Sequence, residues 1–175
     1  MGALTGEDFS TVVISARDKI DEAVVRDSVA FAMIAAGFNT LFEPVNPDAR
    51  IGSVRIGTTG AGNLTASDIV TGALPGRDGF YGTDDDTTMF FDEGITPDSR
   101  IEKVIIKGGV FGGGNFSGHY GIDALRVDSV KIGGQSIPLI SGPANDFVEI
   151  GGGKGGSDFA INERLGLFTD DGENV

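Results

Sequence analysis

The chain has 175 residues, a formal net charge of −13 and 39% hydrophobic residues, which fits about one folded domain and excludes a disordered chain. Its acidity disfavours nucleic acid and anionic membrane surfaces as partners, because both require clustered Lys and Arg. Zero cysteine excludes disulfides and thiolate metal sites, and the 29 glycines indicate many tight turns.

The N-terminal region has neither a basic leader followed by an apolar stretch nor a run of about 18 apolar residues, so we expect no signal peptide and no membrane insertion. The protein is therefore either cytoplasmic or an excised piece of something longer, and we expect the excised piece. "TVVISA" (11–16) has the composition of a strand. Residues 16–36 fit a strand or a helix: Ser15 is a possible helix cap, whereas the β-branched context favours strands, with 16–27 as a turn region.

A pattern recurs in three later segments: "ARIGSVRIG" (49–57), "SRIEKVIIKGG" (99–109) and "LRVDSVKIGG" (125–134). Each reads as a strand followed by a glycine, with inward residues such as Ile51, Val54 and Ile56. The arginines at 50, 100 and 126 suggest that 26 residues form one coil and 50 form two coils. "FVEIGGG" (147–153) resembles a degenerate fourth copy.

Such a unit cannot bury its apolar side alone, but stacked copies can. We therefore predict an all-β fold, a right-handed parallel β-solenoid (β-helix) fragment, in which 51–56, 101–106 and 127–132 are equivalent strands of one parallel sheet. The alternative is a β-sandwich whose strands look alike by chance. Either way we expect one β-rich domain over 1–175, with an Asp/Gly-rich insertion at about 72–98 and a frayed tail at 169–175.

The insertion contains "PGRDGFYGTDDDTT" (75–88), in which four aspartates surround two aromatic residues. Ca²⁺ takes carboxylate, carbonyl and water oxygens in irregular geometry. The predicted ligands are therefore Asp78, Asp84 and Asp86, a carbonyl of Phe80 or Gly82, and water. Asp85 either faces solvent or supplies a further oxygen. The alternative is a solvated acidic loop that binds no metal.

No catalytic or other cofactor-binding residues are predicted. His119 is the only histidine, and no serine lies in a nucleophile motif beside it. The glycine clusters 108–114 and 151–156 do not match a phosphate-binding loop, because Gly155 follows Lys154 where Ser or Thr is required. These glycines are expected to turn corners between strands.

The segments "NPDARIGSVRIG", "GNLTASDIVTGALPGRDGFYGTDDD", "SRIEKVIIKGGVFG" and "GHYGIDALRVDSVKIGGQSIPL" carry a resemblance. In this order they resemble the repetitive β-strand-rich segments of large exported or surface proteins of planctomycete-like and other environmental bacteria. The resemblance spans residues from about 27 to about 165. It implies architecture and export, and so a secreted or cell-surface protein, rather than an activity.

Three functions stay open from the sequence. The first is a non-catalytic structural or adhesive module, stiffened by calcium, whose partners are neighbouring repeats of a longer chain or surface glycans. The second is a polysaccharide lyase or hydrolase on the same scaffold; the absence of Trp and the presence of only two Tyr argue against it, because sugar-binding grooves need aromatic residues. The third is a free-standing small binding protein.

Overall fold

A computed structural model describes residues 4–5, 12–89, 97–112, 118–150 and 159–163. Its described part is built from β-strands and turns, without a helix, so the prediction of an all-β fold is confirmed. No helix long and apolar enough to cross a membrane occurs in these ranges. The predicted tail at 169–175 lies outside them.

The strands are numbered in chain order. They are β1 (Leu4–Thr5), β2 (Val12–Ala16), β3 (Lys19–Val25), β4 (Val29–Ala30), β5 (Ala32–Ala36), β6 (Arg50–Ile56), β7 (Leu64–Thr65), β8 (Asp68–Thr71), β9 (Ala73–Leu74), β10 (Thr87–Thr88), β11 (Arg100–Ile106), β12 (Val110–Phe111), β13 (Tyr120–Asp123), β14 (Arg126–Val127), β15 (Val130–Ile132), β16 (Gln135–Ser136), β17 (Phe147–Glu149) and β18 (Phe159–Asn162).

Three sheets are built mostly from parallel strands. The first sheet has the order β1-β4-β7-β12, the second β17-β18-β13-β8-β5-β2, and the third β16-β15-β11-β6-β3, with β14 also pairing with β11. The strands β9 and β10 form a separate antiparallel pair within the insertion. This mostly parallel pairing differs from the antiparallel sheets of the β-sandwich alternative.

The third sheet contains the repeated pattern in register. Arg50 pairs with Arg100 and Arg100 with Arg126, and all these strands run parallel. The prediction that 51–56, 101–106 and 127–132 share one parallel sheet is therefore confirmed. Ile51, Val54 and Ile56 are fully buried, as predicted. The interpretation of 50 residues as two coils is wrong, because β6 and β11 are direct neighbours and the insertion accounts for the additional length.

The strand β3 is a further copy of this pattern that the repeat search missed. Ile20 pairs with Ile51 and Ala23 with Val54, so the interpretation of 16–27 as a turn region is wrong for 19–25. The polar residues that face outward on β3 obscure the repeat in the sequence, although its inward residues are apolar and include the buried Val25. The proposed fourth copy at 147–153 is also wrong, because β17 pairs antiparallel with β18 in the second sheet.

The second sheet carries a column of isoleucines on its inner face. They pair strand by strand: Ile14, Ile34, Ile69, Ile122 and Ile161. The last four of these isoleucines form one hydrophobic core with the inward residues of the third sheet, such as Ile101 and Val104. Burial of this shared core is the main force that holds the sheets together.

Candidate functional site

The outer face of the second sheet is covered by the insertion. Tyr81 and Met89 of the insertion pack with Phe38 and with Ala35 and Val70, which lie on the outward side of β5 and β8. The insertion therefore contributes buried residues of its own. Its aromatic and apolar side chains pack against the second sheet, a contact that the local sequence does not reveal.

Gly82 brings the insertion into direct contact with β13. Its φ is +81°, in the region that favours glycine. A Cβ at this position would lie 2.5 Å from the Tyr120 carbonyl oxygen. The Gly82 amide donates to Asp86 Oδ2 at 2.8 Å and to Asp123 Oδ1 at 3.2 Å. This amide therefore links the loop to an aspartate of the sheet.

A pair of buried carboxyl groups lies beneath this contact. Asp86 of the insertion and Asp123 of β13 are both 0% exposed. Asp86 Oδ2 also accepts hydrogen bonds from the Thr83 amide at 3.0 Å and from Asn162 Nδ2 at 3.1 Å. Both carboxyl groups accept from the Gly82 amide, which places them within reach of a hydrogen bond to each other. Such a bond requires a proton on one of them.

The environment raises the pKa of these acids. Burial raises the pKa of Asp123 well above its ordinary value, and the charge of Asp86 and the hydrogen bond to it add to the effect. That hydrogen bond lowers the pKa of Asp86, although burial raises it overall. Burial and the charge of Asp86 thus favour a proton on Asp123. Burial also raises the pKa of nearby Asp68 to about 7.

Asp123 Oδ2 fits this protonation. This oxygen is buried, and no N–H or O–H group of the described residues donates a hydrogen bond to it. A buried acceptor without a partner is costly, but a hydroxyl at this oxygen can donate to Asp86. The pair thus joins the insertion to the sheet by a shared proton rather than by opposite charges.

The aspartates predicted to bind calcium differ in their hydrogen-bond partners and in their exposure. Asp78 Oδ1 accepts from the Phe80 amide at 2.8 Å, and Asp85 Oδ2 accepts from the Arg77 amide at 2.7 Å. Asp84 is exposed, whereas Asp86 points into the sheet contact. Three consecutive aspartates therefore have three different environments.

This arrangement does not gather the predicted ligands around one point. Throughout the described part of the chain, no group of three or more His, Asp or Glu side chains is placed to hold a metal ion. The Phe80 carbonyl is 3.5 Å from the Thr83 hydroxyl, and the Phe80 ring is 37% exposed. Calcium binding by 78–86 stays a prediction, and the function proposed for the chain does not require it.

Sequence reasoning missed Asp68, Asp123 and Asn162 as members of this cluster. Asp123 pairs with Asn162 and with Val70 across neighbouring strands. The available signal was a polar residue at the end of an otherwise apolar strand, in "YGID" and "FAIN". That signal identifies polar positions, but their convergence on Asp86 depends on the strand register.

Asp86 and Asp123 are enclosed, so these two acids are not placed to act on a substrate. Because Asp86 and Asp123 are fully buried, their chemistry is confined to binding one another, the Gly82 amide and Asn162. The site acts as an attachment point between the insertion and the second sheet. Comparison with protein-family models, with curated proteins and with solved structures finds no match to this chain.

Proposed function

We propose that the chain is a non-catalytic structural module, a right-handed parallel β-solenoid in which each coil adds one strand to each of three sheets. One observation carries the proposal: the three sheets take up their parallel strands in the same chain order. A path that visits three sheets in turn and then repeats is the path of a solenoid coil. The right hand follows from the strong preference of parallel crossover connections.

Ladders of like residues between coils support this interpretation. Each coil places an isoleucine or valine above the corresponding residue of the next, as at Ile51, Ile101 and Val127. Charged residues on the outside also link neighbouring coils: Arg50 contacts Asp98 at 2.9 Å, and Arg100 Nε donates to Asp128 at 2.6 Å. The apolar ladders contribute most, because exposed ion pairs add little stability.

The two ends of the stack differ, and this difference suggests how the module is used. At the C-terminal end β16 and β17 pair antiparallel with the last parallel strands, and Glu163 accepts a hydrogen bond from the Val127 amide on β14. At the other end β2 and β3 have a strand partner on one side only, within the described residues. Neighbouring coils of a longer chain are the partners that suit this open edge.

The enzyme alternative receives no support from the described site. Hydrolysis of a sugar chain needs two carboxyl groups that reach the substrate, whereas Asp86 and Asp123 are enclosed. The secreted or cell-surface setting belongs to this proposal and rests on composition and resemblance alone. Release of reducing ends from a panel of neutral and acidic polysaccharides by the purified chain would contradict the non-catalytic role.

The coil order is tested by engineered disulfides, for which a chain without cysteine is well suited. Ser53 and Lys103 are partners on adjacent strands, about 4.8 Å apart, within the range that a disulfide spans. Ser53→Cys/Lys103→Cys should therefore form a disulfide on oxidation and raise the free energy of unfolding by about 2–4 kcal/mol.

The matched control is Glu22→Cys/Lys103→Cys. Glu22 pairs with the other side of Ser53, so it lies two strands, about 9.6 Å, from Lys103 and is too distant to be bridged. Tryptic mapping of the oxidised proteins distinguishes the pairs. Equal cross-linking of both variants, or of the control alone, would contradict the stacked order of coils.

A further inference from the structure

A cleft of about 340 Å³ lies on the outer face of the third sheet. Its lining includes Arg55, Thr58, Ile105, Lys107, Lys131 and Gly134. Its volume is at the lower end of the range for small-molecule pockets. The cleft is separate from the buried acid cluster, which lies on the second sheet.

The charge of the cleft is opposite to that of the chain. Its lining contains three cationic side chains and no carboxylate, although the whole chain carries a net charge of −13. Arg55 contacts Glu22 at 3.3 Å. Among the described residues, neither Lys107 nor Lys131 forms an ion pair. Two exposed ammonium groups thus share one concavity without local neutralisation.

The strand register brings these cations together. Arg55 pairs with Ile105 and Ile105 with Lys131, so the two cationic residues flank one isoleucine on the outer face, about 9.6 Å apart at their Cα atoms. Long side chains from both sides can reach a single group above Ile105. The Lys107 amide donates to the Ile56 carbonyl at 3.0 Å, which holds this third cationic residue at the same end of the sheet.

We propose that this cleft binds the phosphate or sulfate group of a small molecule. Arg binds such oxyanions in a bidentate way and Lys binds them as a point charge, and Thr58 adds a hydroxyl donor at the exposed rim. The cleft is larger than one oxyanion, since a water molecule occupies about 30 Å³, so there is room for an attached polar group. Gly134 leaves the turn at the rim without a side chain, with open space around its Cβ position.

The test is titration of the full chain at low salt, by calorimetry or by NMR chemical shifts. The probes are inorganic phosphate, inorganic sulfate, glucose 6-phosphate, and glucose as the uncharged comparison. We expect saturable binding of the anions and none of glucose. Tighter binding of the ester identifies an ester as the source of the anion, whereas equal binding identifies the free ion; both results support the site.

The variants are Lys107→Ala and Lys131→Ala, with Lys103→Ala as the control. Lys103 is an exposed lysine on the same face of β11 that does not line the cleft, so its removal changes the net charge equally. Each cleft variant should weaken anion binding by about tenfold or more, as expected for a charge-assisted hydrogen bond. Absence of saturable anion binding below about 10 mM, or an equal loss in Lys103→Ala, would overturn the proposal.

Discussion

Replacement of Asp123 by Asn should stabilise the protein at alkaline pH. In the wild type the folded chain binds more protons than the unfolded chain between the ordinary pKa of an aspartate and the raised pKa of the buried group. The free energy of unfolding therefore falls as pH rises through this interval. Asp68 alone, with a pKa of about 7 against an ordinary 3.8, corresponds to about 4 kcal/mol lost between pH 4 and pH 7.

The expected size of the Asp123→Asn effect follows from the charge that is removed. Two full charges about 4 Å apart repel by about 4 kcal/mol at an effective dielectric constant of about 20. This repulsion alone corresponds to a rise in Tm of about 8–16 °C for a chain of this size, and the variant also removes the cost of burying a charge at 123. Near pH 5 both the acid and the amide are neutral donors toward Asp86, so the two proteins should melt alike there.

Asp86→Asn is the matched comparison, because it removes the same charge from the same pair. Asp86 Oδ2 accepts hydrogen bonds from the amides of Gly82 and Thr83 and from Asn162, and Oδ1 accepts from the Gly76 amide at 3.4 Å. An amide group can accept at only one of these two oxygens, so at each pH this variant should be about 1–3 kcal/mol less stable than Asp123→Asn. A hydrogen bond from Thr83 lowers the pKa of Asp85, so the contribution of Asp85 to stability is lost as pH falls. This contribution is the same in both variants, because neither changes Asp85.

The assay is thermal unfolding of the three proteins from pH 4 to pH 9, followed by circular dichroism at constant ionic strength. The wild type should lose stability steadily above about pH 4, and Asp123→Asn should flatten the upper part of this profile. A profile for Asp123→Asn that runs parallel to that of the wild type, or an equal loss of stability in both variants at pH 8, would refute the shared-proton interpretation.

Other predictions concern the insertion. Gly82→Ala should destabilise the protein more than Gly79→Ala in urea unfolding, because both glycines have positive φ but only the Gly82 Cβ meets neighbouring backbone; equal effects would show that the approach of 82 to β13 is unimportant. His119→Ala should change the free energy of unfolding by less than about 0.5 kcal/mol, and loss of a measurable activity in this variant would contradict the non-catalytic role. If the predicted calcium site exists, excess Ca²⁺ should stabilise the wild type by about 2.7 kcal/mol at a hundred times Kd but not Asp78→Asn/Asp84→Asn; identical melting with Ca²⁺ and with chelator would contradict it.

Local pattern was sufficient to predict the strands β6, β11 and β15 of the third sheet. In 49–57, 99–109 and 125–134 the inward residues recur at the same offsets, because every coil must present the same apolar side to the same core. The copy at 19–25 was not recognised in the sequence, because Asp21 and Glu22 face solvent and interrupt the apolar pattern. An insertion between β8 and β11 doubled the apparent spacing, since the length of an excursion does not affect which strands become neighbours.

By itself, the sequence determined the all-β class, the repeated strand and the position of the acidic insertion, since these depend on residues close together in the chain. Only the tertiary structure decided what the aspartates do. Asp86 meets residues 37 positions away at Asp123 and 76 positions away at Asn162, and the neighbours brought by this folding exclude water from its carboxyl group. A carboxyl group in solvent is simply an anion, whereas the same group enclosed beside a second carboxyl must share a proton, because burial penalises the charged form.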